Sequence, residues 1–166
     1  MTIKRYLLVA AFILLAYCNA LAGGVGTWKN YLAYSDVQWV EEGSNKLYVL
    51  ASNSLYTYNK NDQSIKTYDK VNGLSDTDIR FIAWNKTARR LVIIYSNNNI
   101  DLLDDRGNVT NVPDYYLKTT MADKTVNGID MSGVYCYLST GFGLVKLNVA
   151  KAEISDSYNL SFPVNY

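Results

Sequence analysis

The chain has 166 residues, a formal charge of +1 and no histidine. So balanced a charge supplies no basic field to draw in nucleic acid or an anionic membrane. The missing histidine removes Ser-His-Asp and Cys-His triads and the commonest zinc sites.

Residues 1–22 read as an export signal rather than as part of the fold. Lys4 and Arg5 make a basic start, Tyr6 to Tyr17 an apolar run, and Ala20-Leu21-Ala22 the small residues that signal peptidase needs, with cleavage after Ala22. The run is too short and wrongly flanked for a transmembrane helix. A lipid anchor on Cys18 is disfavoured by the bulky Tyr17 before it. Loss of Lys4 and Arg5 leaves 14 basic residues against 15 acidic ones, a charge of −1. Only Cys136 then remains, so no disulfide forms within the chain. Its alternation with apolar neighbours predicts a buried, inert thiol.

Gly26 to Tyr34, with Trp28 and Tyr31, is placed to serve as a closing strand (26–34) for the last sheet of a ring. Three similar segments follow: Lys46 to Asn59, Arg90 to Asp104 and Gly133 to Asn148. In each, an apolar strand ends at Ser, Asn, Thr or Gly turn residues and a second strand returns. Leu47, Leu91 and Val134 correspond in this alignment, as do Leu55, Ile100 and Leu144. A period of about 40–50 residues built of short strands lies in the β-propeller range.

Each unit fills out as four strands. The first takes Val37 to Val40, Lys46 to Ala51, Leu55 to Asn59 and Ile65 to Asp69. The second takes Ile79 to Trp84, Leu91 to Tyr95, Ile100 to Leu103 and Val109 to Val112. The third takes Val126 to Met131, Val134 to Leu138, Leu144 to Asn148 and Ile154 to Tyr158. Runs such as Val92-Ile93-Ile94 suit strands buried on both faces, and alternation such as Ile65-Lys66-Thr67-Tyr68 suits outer ones. Tyr115 to Ala122 follows Pro113 and lacks an apolar stripe, so it reads as an irregular loop. The expectation is an all-β fold, a partial β-propeller spanning residues 23–166, with four-stranded antiparallel blades near 36–70, 78–113 and 125–160. Rings close with about four to eight blades, so the ring is incomplete in this chain. Either the chain is a portion of a longer protein or several copies complete a ring.

Chemistry-bearing groups are few. Asp101, Asp104 and Asp105 read as a solvated hairpin turn, because Arg106 stands where a calcium loop wants a ligand. Asp76 and Asp78 precede the second unit and read as turn acceptors rather than an acid/base pair. Asn85, Asn108 and Asn159 begin glycosylation sequons, which arise often by chance. Gly141-Phe142-Gly143 is a hairpin turn, not a phosphate loop, since no helix start follows. No catalytic residue, metal ligand or cofactor is expected. The 15 tyrosines chiefly fill strand faces. Tyr115 and Tyr116, in the long loop, are the candidates for a ligand-binding aromatic surface.

Asn72-Gly73-Leu74-Ser75-Asp76, the strand Ile79 to Ala83 and Asn99-Ile100-Asp101-Leu102 together resemble the repeats of two-component-regulator propellers. Phe142-Gly143-Leu144 echoes the Gly-Leu turn of those repeats. With Gly26-Thr27-Trp28-Lys29-Asn30-Tyr31, the pattern is similar to the N-terminal propeller of the PorZ family of type IX secretion accessory proteins in Bacteroidota. The resemblance implies a large two-propeller protein with a C-terminal sorting domain. It also implies work with the surface sortase machinery that attaches anionic lipopolysaccharide to cargo, binding of that glycan, and no catalysis by the propeller itself. This chain holds about three blades of that pattern. The function expected is therefore an exported, non-enzymatic binding or scaffold module at the periplasm or outer-membrane surface, with a surface glycan or secretion proteins as partners and no nucleic acid. The alternative is the periplasmic sensor propeller of a hybrid two-component regulator. An enzyme using Asp76 or Asp78 is the third class.

Overall fold

A computed structural model describes residues 34–119 and 123–159. The export signal, and all of the closing strand before Tyr34, lie outside the described residues. Among the described residues, twelve strands form three separate four-stranded sheets. Blade 1 holds β1 (Val37–Glu42), β2 (Lys46–Ala51), β3 (Ser54–Asn59) and β4 (Ile65–Tyr68); blade 2 holds β5 (Ile79–Asn85), β6 (Arg90–Tyr95), β7 (Ile100–Asp104) and β8 (Val109–Asn111). Blade 3 holds β9 (Val126–Ser132), β10 (Tyr135–Thr140), β11 (Gly143–Asn148) and β12 (Glu153–Asn159). Every neighbouring pair is antiparallel and sequential, the meander of a propeller blade. The protein is thus a partial β-propeller.

The blades stack face to face because their middle strands are apolar on both sides. Leu91 to Tyr95 in β6 are all fully buried, the odd positions against blade 1 and the even ones against blade 3. One seam packs Tyr48, Leu50, Leu55 and Tyr68 of blade 1 against Ile82, Trp84, Ile93 and Leu103 of blade 2. The other packs Val92, Ile94, Ile100 and Leu102 of blade 2 against Cys136, Leu138, Val145 and Leu147 of blade 3. Cys136 is fully buried and its thiol is pushed up to about 12 by desolvation, with the Asp130 charge adding to it. The two seams together remove most of the large apolar side chains from water, the dominant stabilising term in such a stack.

Basic side chains tie the seams at one recurring place. Lys46 opens β2 and donates its Nζ to the Asp105 carbonyl of blade 2 at 2.8 Å. Arg90 opens β6 and donates to the Val149 carbonyl of blade 3 at 3.1 Å. Strand pairing makes the two positions equivalent: Lys46 faces Asn59, Arg90 faces Asp104, and the acceptor is the next residue along in the following blade's hairpin.

The register moves one correspondence of the third unit by two residues and keeps the other, of Leu55, Ile100 and Leu144. Tyr135 faces Asn148 and Cys136 faces Leu147, so Cys136, not Val134, stands where Leu47 and Leu91 stand. The cause is a shorter turn from β9 to β10, made by Gly133 at φ +58° and Val134. A second correction lies after Pro113. Asp114–Leu117 form a single turn of helix, α1, within the segment expected to be irregular. Four residues are too few to show a stripe, and tertiary packing of Tyr115 holds the turn.

The segment between blades 1 and 2 explains its own sequence. Asp69 accepts the Val71 and Asn72 amides, and Asn72 returns a side-chain contact to the Asp69 amide. Gly73 takes φ +125°, which swings Leu74 into the first seam. The Ser75 amide then donates to Asp101.

Candidate functional site: the axial cleft

The three inner strands β1, β5 and β9 run side by side and carry the same irregularity. A β-bulge inserts one extra residue near the start of each: Gln38, Arg80 and Asn127. Bulges re-aim side chains, and all three extra residues are exposed and polar. Beside them lies a cleft of about 530 Å³ lined by Gln38, Trp39, Arg80, Phe81, Gly128 and Ile129 among others.

The indole of Trp39 is 57% exposed, an unusual position for so large an apolar ring. Its Nε1 donates to Glu41 at 2.7 Å, while the other Glu41 oxygen accepts the Trp84 amide at 3.1 Å. That carboxylate is thereby committed to bracing Trp39 against blade 2. Gln38 and Asn53 hold each other through a side-chain pair and the Asn53 amide. Arg80 makes no ion pair among the described residues and lies 5.4 Å from the Phe81 ring centroid. The cleft therefore offers two aromatic side chains, a guanidinium with no ion pair among the described residues, and braced amides. Such a set can bind a flat or apolar group next to an anionic or hydrogen-bonding one.

The aspartates do other work. Asp78 accepts from Asn53 and Ser96, which hold its carboxyl below the usual range. Burial works against ionisation of Asp76, but Asn97, Thr77 and Lys70 outweigh it and its carboxyl also sits low. Neither is held protonated, as a general acid would need. Asp104 accepts the Arg106 and Asn108 amides within its hairpin, the solvated turn expected of it. Asp101 does not belong to that turn. It is fully buried in β7 and accepts from the Tyr95 hydroxyl at 2.6 Å, the Ser75 amide at 2.8 Å and Asn111 at 2.8 Å. A buried carboxylate must be hydrogen-bonded, and those donors lie on a neighbouring strand, the lead-in loop and β8.

Tyr115 and Tyr116 do not share a surface. The Tyr115 ring is 2% exposed in the second seam and its hydroxyl donates to the Lys124 carbonyl at 2.6 Å. Tyr116 is 47% exposed. Asn85, the first sequon asparagine, is buried, donating to the Gly133 carbonyl and accepting the Ala88 amide. Among the described residues, no group of three or more acidic or cysteine side chains is placed to hold a metal. The residues that sequence reasoning passed over are Trp39 and Arg80; the signal was a polar residue second in every inner strand.

The family described as "TSS9, PorZ, N-terminal beta-propeller domain" matches residues 47–166. The chain belongs to that family. Among solved structures, PorZ of Porphyromonas gingivalis, described as an essential bacterial surface component of the type-IX secretion system, is 38% identical with a TM-score of 0.75. The alignment covers 80% of this chain but 18% of that one, so the chain spans a small part of its relative's length. The extracellular domain of a putative one-component system from B. thetaiotaomicron aligns at 18% identity and TM-score 0.60, covering 82% of this chain and 18% of that one. AztD of Citrobacter koseri aligns at 14% identity and TM-score 0.59, covering 76% and 34%. The last two share the fold alone. Comparison with curated proteins gave no match. No helix among the described residues is long and apolar enough to cross a membrane.

Proposed function

We propose that this propeller is an exported, non-enzymatic part of a type IX secretion component at the cell surface, and that the axial cleft is its contact face. The observation that carries the reading is the PorZ match at 38% identity over most of the chain. The cleft supports it, because Trp39 stays largely exposed and Arg80 makes no ion pair among the described residues, while Glu41, the carboxylate lining the cleft, is engaged. The partner is a secretion-system protein or an anionic surface glycan; either offers negative charge to Arg80 and an apolar or ring face to Trp39. Tyr116, the exposed one of the two loop aromatics, is a second contact candidate on the outer side.

The test is replacement of Trp39 and Arg80 by alanine in the native gene. Cargo attached at the cell surface is expected to fall while the protein itself accumulates normally. Undiminished cargo attachment would overturn the reading. The sensor alternative, favoured by the extracellular sensor propeller that shares the fold, predicts a transmembrane helix and signalling region in the same gene and no effect on cargo.

A further inference from the structure

The far face of blade 3 breaks the pattern of the two seams, and breaks it at the latch. Equivalence runs Lys46, Arg90, Tyr135 along the second strands and Thr57, Leu102, Lys146 along the third. Blade 3 therefore has a tyrosine where its neighbours carry the latching cation. It has a lysine where they carry Thr57 and Leu102, which are only 3% and 1% exposed beneath the next sheet. The displaced cation has not gone far. Lys146 Nζ lies 4.0 Å from the Tyr135 ring centroid and 6.0 Å from that of Tyr137, so the charge is parked over the latch position.

We propose that Lys146 is a third interblade latch, which donates to a backbone carbonyl in the outer hairpin of a further four-stranded sheet seated on blade 3. Three observations carry this. Both equivalent faces in the chain are covered by just such a sheet, and in both the cation at this place donates to a carbonyl of that hairpin. The face of blade 3 is built to be covered, with Tyr135, Tyr137, Leu144 and Tyr158 side by side on it, and no other sheet among the described residues covers it. Lys146 has no carboxylate partner within ion-pair distance among the described residues. Its cross-strand neighbour Asp156 accepts the Ser157 amide at 2.8 Å, and Asp130 on the same face is exposed. The tyrosine rings stabilise the ammonium but leave its donors unmet. Under a covering sheet those donors need an acceptor, and a hairpin carbonyl meets that need without a second buried charge.

The seam differs from the other two in kind. Its cation comes from the middle of the sheet and reaches outward, so its stem and two tyrosine rings replace the aliphatic filling of Val92 and Leu102. The covering sheet should accordingly present small or polar groups opposite Lys146 rather than large aliphatic ones.

Lysine acylation followed by mass spectrometry tests the latch on the protein isolated from its native cells. Lys46, already latched, and Lys151, whose side chain is 70% exposed, are the internal references. Lys146 is expected to react about tenfold more slowly than Lys151, in step with Lys46, because an amine enclosed beneath a sheet and held in a hydrogen bond is out of the reagent's reach. Reaction at the rate of Lys151 would overturn the proposal. Protection that disappears on dilution would also overturn it, since the cover would then be a second copy. Lys146→Arg should keep the native thermal midpoint, and Lys146→Met should lower it, as Lys46→Met should; a midpoint unmoved by Lys146→Met would contradict the latch.

Discussion

The two seams that flank blade 2 share one backbone plan and have different interiors. The first is aromatic and polar. Tyr48 stacks on Trp84 at 5.2 Å, Tyr68 and Tyr95 are enclosed, and the Asp101 carboxylate sits among them. The second is almost wholly aliphatic, with Tyr115 at its rim and Cys136 within it. The lesson is that the propeller repeat prescribes where side chains meet but not how they cohere. One seam depends on satisfied hydrogen bonds, which are costly to break singly, and the other on filled volume.

Four changes would break or sharpen that contrast. The largest effect is expected in the aliphatic seam. Leu102→Ala leaves a cavity between blades 2 and 3 and should cost about 2–5 kcal/mol by denaturant unfolding. A loss under about 1 kcal/mol would mean the seam collapses around the gap. Next comes Asp101→Ala in the polar seam. It orphans the Tyr95 hydroxyl and the Ser75 amide and should cost about 2–4 kcal/mol. Asp101→Asn should recover part of this, since one side-chain oxygen still accepts.

Alkali should act next. Burial, then the Asp101 contact, raises the Tyr95 hydroxyl above its ordinary value; burial, then nearby Asp105, raises Tyr48; and burial pushes Tyr115 up to about 12. A raised folded value means the stabilisation is fully present below the unfolded value, near pH ~10, and is lost as pH rises toward the folded one. The unfolding free energy should therefore be level up to pH ~10 and fall above it, by at most about 1.4 kcal/mol per pH unit for each tyrosine that ionises, and thermal midpoints should follow it. Midpoints level through pH ~12 would show that the hydroxyls are not enclosed. The smallest effect is Tyr48→Phe. The buried Tyr48 hydroxyl has no hydrogen-bond partner among the described residues, so its removal should be neutral or stabilise by up to about 1 kcal/mol. A loss larger than that would reveal an unseen partner.

Much of this plan was legible in the chain. Strand positions followed from runs such as Val92-Ile93-Ile94 and from the polar turns between them, because period-two burial leaves a direct trace in sequence. The difference between the seams was not legible. Asp101 looks like its neighbours Asp104 and Asp105, and only the fold brings Ser75 and Tyr95 to it. The latch was hidden for a related reason: Lys46 and Arg90 donate to carbonyls 59 residues away, and a backbone acceptor has no residue type. The two-residue slip at Val134 came from matching apolar letters, where the tight Gly133 turn sets the true register. The axial cleft was missed because Trp39 resembles any strand aromatic until its exposure is known.

Hydrogen exchange read by mass spectrometry on the mature chain tests the stacking itself. A blade closed on both faces should hold its second strand longest, so the β6 amides of Arg90–Tyr95 should exchange most slowly, well behind those of β1 and β12. If β6 exchanges as fast as β1 and β12, the sheets are not sandwiched, and the seams, the latches and the cleft between the inner strands all lose their basis.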